Sequence, residues 1–157
     1  MSSSSFSSVS STDLTTGRLT LRPWAPHEIT AVLDGDRLAH WAPDFPAEGD
    51  HVIAGLLANQ ADGYGHRLIV ERESGLVVGS IGLFWPPNEG ALEIGYGVVP
   101  SRRGRGYASE ATRAMVEFAL GLPGVHTVHA DVEPSNPASV RVLEKAGLRP
   151  VMVRYAR

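Results

Sequence analysis

Ile94-Gly-Tyr-Gly-Val-Val-Pro-Ser-Arg-Arg-Gly-Arg-Gly-Tyr-Ala-Ser-Glu110 carries a strand into a Gly-rich basic loop, and the loop opens directly onto a helix. Such a junction is an anion site. The first-turn N–H groups have no intrahelical partner, and the positive end of the helix dipole converges on the same point. Gly104 and Gly106 let the backbone turn tightly and approach a phosphate with no Cβ in the way. Arg102, Arg103 and Arg105 add positive charge, and Ala108 is small enough for close approach in the first turn. Two other phosphate loops fit worse. No Gly-Lys-Ser/Thr is present, as a nucleoside triphosphate loop requires. A dinucleotide fingerprint needs a third glycine three residues after the second, where Ser109 stands. The bland alternative is a surface Gly/Arg loop that binds nothing.

Outward from this junction the hydrophobic periodicity changes twice. Upstream, three strands are expected over His66–Arg72, Leu76–Trp85 and Ala91–Val99, joined by turns at Glu73–Gly75 and Pro86–Gly90, which predicts an antiparallel meander. Before them come a half-buried strand at Arg18–Arg22, a helix at Ala25–Leu33, a Pro-interrupted loop at Trp41–Pro46 and a helix at Asp50–Gln60. Downstream, Tyr107–Leu120 is a helix with Ala108, Ala111, Met115 and Phe118 on one stripe. A strand at Val125–Glu133 follows, then a helix capped by Asn136 with Pro137 at its first position, then one extended segment at Leu148–Tyr155. The class is α/β (α+β), a single domain from residue 16 to 157.

The chain has 157 residues, 43% of them hydrophobic, which is ordinary globular composition. A net charge of −3 gives no support for nucleic-acid binding, and no apolar run is long enough to span a membrane. There is no cysteine, so disulfides, Cys-based zinc sites and a Cys nucleophile are excluded, and a cytoplasmic protein is expected. The Ser-rich residues 1–15 lack the basic start and apolar stretch of a signal peptide and are expected to be disordered. No metal site is expected: His126 and His129 are three apart on a strand and face opposite sides, and His40, His51 and His66 have no ligand at metal spacing.

Arg103-Gly-Arg-Gly-Tyr-Ala108 matches the Gln/Arg-x-x-Gly-x-Gly/Ala signature of the GNAT acetyltransferase superfamily. Asn136-Pro-Ala-Ser-Val-Arg-Val-Leu-Glu-Lys-Ala-Gly-Leu148, about 30 residues downstream, also resembles that family. The opening Thr16-Gly-Arg-Leu-Thr-Leu-Arg-Pro23 resembles its ribosomal-protein N-terminal acetyltransferase (RimJ/RimL-like) branch. The resemblance implies a central mixed, mostly antiparallel twisted sheet with about four helices. It implies acetyl-CoA as co-substrate, held by the backbone of Val98 and Val99 along its pantetheine arm. It places the pyrophosphate on the amides of Arg103, Gly104, Arg105, Gly106, Tyr107 and Ala108, with Asn136 as a further contact. A primary amine would attack the thioester directly, where the strand at Ala91–Val99 splays from the strand at Val125–Glu133.

That chemistry needs a group to take a proton from an ammonium. Glu93 is the first candidate, Asp131 the second and Glu133 the third; each has an alternative reading as a solvated strand residue. Many relatives carry a Tyr seven residues after the motif Asn to serve the thiolate, and here that position is Leu143. The ribosomal-protein branch has a Ser three residues after it, matched by Ser139, which is equally well read as a helix cap. Trp41, Phe45 and Trp85 are candidates for the acceptor pocket, core packing being the alternative, and Asp34, Asp36 and Asp44 would attract a cationic acceptor. Relatives usually end in a strand hairpin. Here Leu148–Arg157 leaves chain for one strand, so the hairpin is expected to be incomplete and its edge to be covered by a second copy in a homodimer. Two competing readings are a non-catalytic acyl-CoA-binding domain and a module for another phosphorylated ligand.

Overall fold

The computed structural model describes residues 13–59, 65–131, 137–151 and 154–156. Its strands are β1 (Leu14–Thr15), β2 (Leu19–Pro23), β3 (His66–Glu71), β4 (Val77–Asn88), β5 (Ala91–Val98), β6 (Thr127–Asp131), β7 (Arg149–Val151) and β8 (Arg154–Ala156). Its helices are α1 (Pro26–Asp34), α2 (Glu48–Ala58), α3 (Tyr107–Leu120) and α4 (Pro137–Lys145). The eight strands form one sheet in the order β1-β2-β3-β4-β5-β6-β8-β7. Every neighbouring pair is antiparallel except β5 and β6. The expected mixed sheet with four helices is therefore present.

The parallel pair positions the site. β5 and β6 are in register only from Ala91–Thr127 to Glu93–His129. Beyond Glu93, β5 continues along β4 to Val98 while β6 leaves it. The wedge between them is the expected splay. The core fills the sheet's interior with Leu19, Leu21, Leu68, Leu83 and Leu92, and α3 covers it with Ala111, Met115 and Ala119.

Local chemistry sets the boundaries. Each of the first two helices carries an acid at its third position that accepts a backbone N–H from the residue before the helix: Ala25 to Glu28 at 2.9 Å and Ala47 to Asp50 at 2.8 Å. That contact starts α2 at Glu48, two residues before the expected start. The turn after β4 is also shorter than expected. Trp85, Pro86 and Pro87 lie in a bulge between the Phe84–Glu93 and Asn88–Ala91 pairs, where prolines need donate no ladder bond. Glu89 and Gly90 alone make the turn, both at positive φ (52° and 82°).

Two expectations need correction. Leu14 and Thr15, read as part of the disordered tail, pair with Leu21 and Thr20 on β2. Residues 1–12 lie outside the described part. The C-terminal segment, read as one strand, folds into two: β8 pairs with both β6 and β7, so ten residues suffice for a short hairpin. The gap that a second copy was expected to cover is filled within the chain, which removes the premise for that dimer.

Glu28 ties the first helix to the sheet. Its side chain is buried and accepts both Arg22 guanidinium nitrogens at 2.8 Å and His40 Nε2 at 2.8 Å. Burial alone would raise its pKa, but these bonds and the Ala25 N–H lower it from 4.5 to about 2. A depressed carboxylate contributes stability above its unfolded value and loses it as pH falls through the folded one. Acid unfolding monitored by circular dichroism is therefore expected to show stability falling between pH 4.5 and 2. Glu28→Gln should flatten that dependence and cost about 2–3 kcal/mol at neutral pH.

Candidate active site

Two cavities meet at the end of β5. The first, about 470 Å³, lies beside the part of β5 beyond its pairing with β6 and is lined by Tyr96, Gly97 and Val98 of β5, Arg102, Arg103, Gly104 and Gly106 of the loop, the first turn of α3 and the Ala138–Lys145 face of α4. Among the described residues four cationic side chains line it, Arg102, Arg103, Arg141 and Lys145, and no carboxylate does. Gly106 stands at the N-cap of α3 with φ 82°, and Gly104 takes φ 81°, a region that L side chains rarely adopt. No side chain caps α3. The amides of Tyr107, Ala108 and Ser109 thus face the cleft as unclaimed donors at a helix N-terminus. The cleft is built for a polyanion.

Glu71 holds this loop in place from below. It ends β3, its side chain is only 4% exposed, and it accepts from Ser74 Oγ at 2.6 Å and Tyr107 Oη at 2.7 Å. Arg102 and Arg105 reach it at 3.3 and 3.2 Å. Burial would raise this carboxyl, yet the two hydroxyl bonds and the Arg102 charge hold it below its ordinary value. Arg18, on the other side, binds Glu110 at 2.8 Å, donates to the Arg105 carbonyl at 2.7 Å and lies 4.8 Å above the Tyr107 ring. Sequence reading missed both clamps, because neither Glu71 nor Arg18 is near the loop in the chain.

Arg103 lies between the two cavities. Its Nε donates to the Val98 carbonyl at 2.9 Å, and its side chain lines both cavities. The Val99 N–H is given to Val78 O at 2.9 Å, so of the two expected pantetheine contacts Val99 donates inward to the sheet. The Arg105 side chain meets Glu71 at 3.2 Å.

The second cavity, about 280 Å³, lies on the far side of this junction and shares Tyr96, Gly97, Val98 and Arg103 with the first. Gly82, Gly95 and Gly97 leave room for it, Ile53, Ile81 and Phe84 give it apolar walls, and Asp50, Ser80 and His66 are polar groups within it. His66 packs over Gly82 so closely that a Cβ there would sit 2.1 Å from Nδ1, and its ring meets Phe84 edge-on at 5.3 Å. Burial pushes its imidazole down to about 4, so it is neutral at pH 7. Tyr96 sits at the seam of both cavities. Among the described residues its buried hydroxyl has no partner at hydrogen-bond distance and angle; burial raises its pKa, and the Ser139 side chain pulls it partly back.

The remaining expected residues divide. Ser139 lines the first cavity, and Leu143, at the position where many relatives carry Tyr, is 1% exposed in the core. Glu93 is exposed on the face of β5 that also carries Gly95 and Gly97, but it lines neither cavity. Asp131 is exposed at the end of β6, 3.9 Å from His129 Nδ1. Asn136 and Glu133 lie outside the described residues. Trp41 and Phe45 are in the core, edge to face at 5.2 Å, because Arg37 donates to the Ala42 and Phe45 carbonyls and folds their loop inward. Trp85 packs partly buried against the same core. None of the three lines either cavity. Asp44 accepts from Ser101 N–H and Oγ at 2.8 and 2.7 Å, pinning that loop to the turn before Arg102. Among the described residues, no group of three or more His, Asp or Glu could hold a metal, and no helix is long and apolar enough to cross a membrane.

Glu71→Gln tests the clamp. Tyr107 and Ser74 keep a partner, but Arg102 and Arg105 lose their counter-charge. Amide hydrogen exchange across residues 103–108 is expected to quicken by about tenfold, corresponding to ~1.4 kcal/mol of lost local stability. Unchanged exchange would show that Arg18 alone holds the loop.

With this geometry in hand, the relatives can be placed. Residues 18–149 match the Acetyltransferase (GNAT) domain. The protein named uncharacterized N-acetyltransferase YnaD, of Bacillus subtilis, is 27% identical over 139 residues, covering 87% of this chain and 82% of YnaD. The fold is shared with Mycobacterium smegmatis RimJ solved in complex with CoA-disulfide, at a TM-score of 0.64 and 21% identity over 88% of this chain and 81% of that one. It is shared equally with a chimera of the Vibrio cholerae spermidine N-acetyltransferase SpeG, at 0.66 and 16% over 89% and 95%. Structural likeness therefore does not single out the ribosomal-protein branch. A domain match across residues 18–149, on a sheet with this wedge and this loop, identifies the chain as a member of the GNAT acetyltransferase family.

Proposed function

We propose that the protein transfers acetyl from acetyl-CoA to a primary amine by direct attack in a ternary complex. The observation that carries this reading is the cleft itself: among the described residues it gathers three helix N-terminal amides and four cationic side chains, with no carboxylate, beside the part of β5 beyond its pairing with β6. The Tyr107, Ala108 and Ser109 amides and the loop glycines would hold the pyrophosphate. Arg141 and Lys145 on α4 would meet further phosphate charge. The Val98 carbonyl would share its second lone pair with the pantetheine arm or exchange Arg103 for it.

At the seam of the cavities, Ser139 and Tyr96 are the hydroxyls able to donate to a departing thiolate. Tyr96 is the better placed because it borders both spaces. Neither Glu93 nor Asp131 borders them, and Glu93 would act only from the rim. The resemblance of Thr16–Pro23 to the ribosomal-protein branch favours a peptide α-amino group as acceptor.

The test is calorimetric titration with acetyl-CoA of the wild type beside Gly106→Glu. Micromolar binding by the wild type, weakened at least 30-fold by a side chain and a negative charge at a φ of 82°, supports the site. Equal binding by both would remove the cofactor from this loop. Tyr96→Phe should leave that affinity intact and lower kcat by about tenfold if its hydroxyl serves the thiolate. An unchanged kcat leaves Ser139 to be tested in the same way.

A further inference from the structure

Among the described residues three carboxylates are buried: Glu28, Glu71 and Asp50. The first two have arginine partners, at 2.8 Å and at 3.2–3.3 Å. Asp50 is 4% exposed and, among the described residues, has no cationic partner. It accepts two hydrogen bonds, from Ser80 Oγ at 2.5 Å and from the Ala47 N–H at 2.8 Å. An ionised carboxylate has about four acceptor sites, and a buried one without a counter-charge is costly. Burial raises the Asp50 carboxyl above its ordinary value, even though both hydrogen bonds and, more weakly, His51 on the same helix pull the other way. This one uncompensated acid lines the 280 Å³ cavity that adjoins the cofactor cleft through Tyr96, Gly97, Val98 and Arg103.

We infer that the missing cation is the acceptor's own ammonium, so that Asp50 docks a primary aliphatic amine in this cavity and takes its proton. The inference deepens the acetyl-transfer reading and rests on it for the chemical step. Ile53, Ile81 and Phe84 supply apolar walls for a stem of a few carbons, and the volume admits a small alkylamine or the first residue of a peptide. In the step, one ammonium proton passes to Asp50. The freed lone pair forms the C–N bond to the acetyl carbonyl carbon, and the C–S bond breaks. The thiolate receives the second nitrogen proton, directly or through Tyr96, and Asp50 returns its proton to solvent, so each turnover releases one proton. Ser80 fixes the carboxylate's orientation and is a positioning residue.

Ligand-observed NMR on the free and the CoA-loaded protein, with n-butylamine, 1-butanol and Ser-Ala-amide, tests this. Butylamine is expected to bind at least tenfold more tightly than butanol. Asp50→Asn, which keeps the shape of the side chain, its amide oxygen accepting from the Ala47 N–H and its NH2 donating to Ser80 Oγ, should abolish that preference without changing the affinity for CoA. A preference for Ser-Ala-amide over butylamine assigns the cavity to a peptide N-terminus, and the reverse to a small amine. Equal binding of amine and alcohol by the wild type overturns the inference whether or not the variant folds, and so does a preference retained in Asp50→Asn. Failure of CoA to bind would sink the acetyl-transfer reading and leave the amine titration to be judged alone. In turnover, Asp50→Asn should lower kcat about 100-fold and erase the acid limb of the kcat/KM profile. The other titratable or charged groups around Asp50 are His51 on its own helix, His66, Tyr96 and Arg103. His66→Gln should retain that limb; its disappearance there would transfer the role to His66.

Discussion

Glu71 ends β3 with its carboxylate buried beneath the loop that joins β5 to α3, and four side chains converge on it. Two hydroxyls and two guanidinium groups bind one carboxylate. The bonds are charge-assisted and only partly screened by solvent, which is where such contacts contribute most. Their effect is geometric as much as energetic. Gly104 and Gly106 can adopt many conformations, and Arg102, Arg105 and Tyr107 anchored on Glu71 select one. With that one, the α3 amides face the wedge. Without it, the same residues would be a mobile surface loop.

The sheet supplies the second constraint. Parallel pairing of β5 with β6 stops after three residue pairs, so a strand edge inside the sheet is left uncovered. Such edges invite pairing with whatever extended chain is near. Here the wedge is bounded by α3 and α4, and positive side chains surround it. Glycines on β4 and β5 then clear space on the other side of the same strand. A single strand thus separates a basic cleft from a small, largely apolar pocket in which Asp50 is the one acid among the described residues, with Arg103 bordering both. The opposed electrostatics suit a reaction that joins an anionic carrier to a cationic acceptor.

Much of this was legible in the sequence. The Gly-rich junction, the meander before it and the helix after it were set by local signals: glycines flanking arginines, period-two alternation, then period 3.6. The basic cleft followed from them. What was not legible depended on contacts between distant residues. Glu71 reads as the last residue of a strand, and only folding shows that it lies under residues 102–107. Asp50 reads as an ordinary acid near a helix start, since nothing local says that its second oxygen meets Ser80 across 30 positions. Trp41 and Phe45 read as pocket walls because aromatic residues in a Pro-rich loop are ambiguous. Arg37, bonded to two carbonyls of that loop, is what turns them inward. The C-terminal hairpin was underestimated because strands of three residues carry too little pattern to separate from one longer strand.

The contacts of Arg18 carry a consequence for how the molecule is assembled. They join residues 92 and 87 positions apart, so the loop acquires its final shape only after β2 has found its place beside β3 and under α3. Contacts of such long range close late, because the intervening chain must first be organised. The meander and α3 can form from nearby residues while the loop between them is still loose. During synthesis, a chain that has already emerged beyond α3 therefore keeps this loop unformed until β2 docks, and the settled shape of the loop reports that two distant parts of the chain have met.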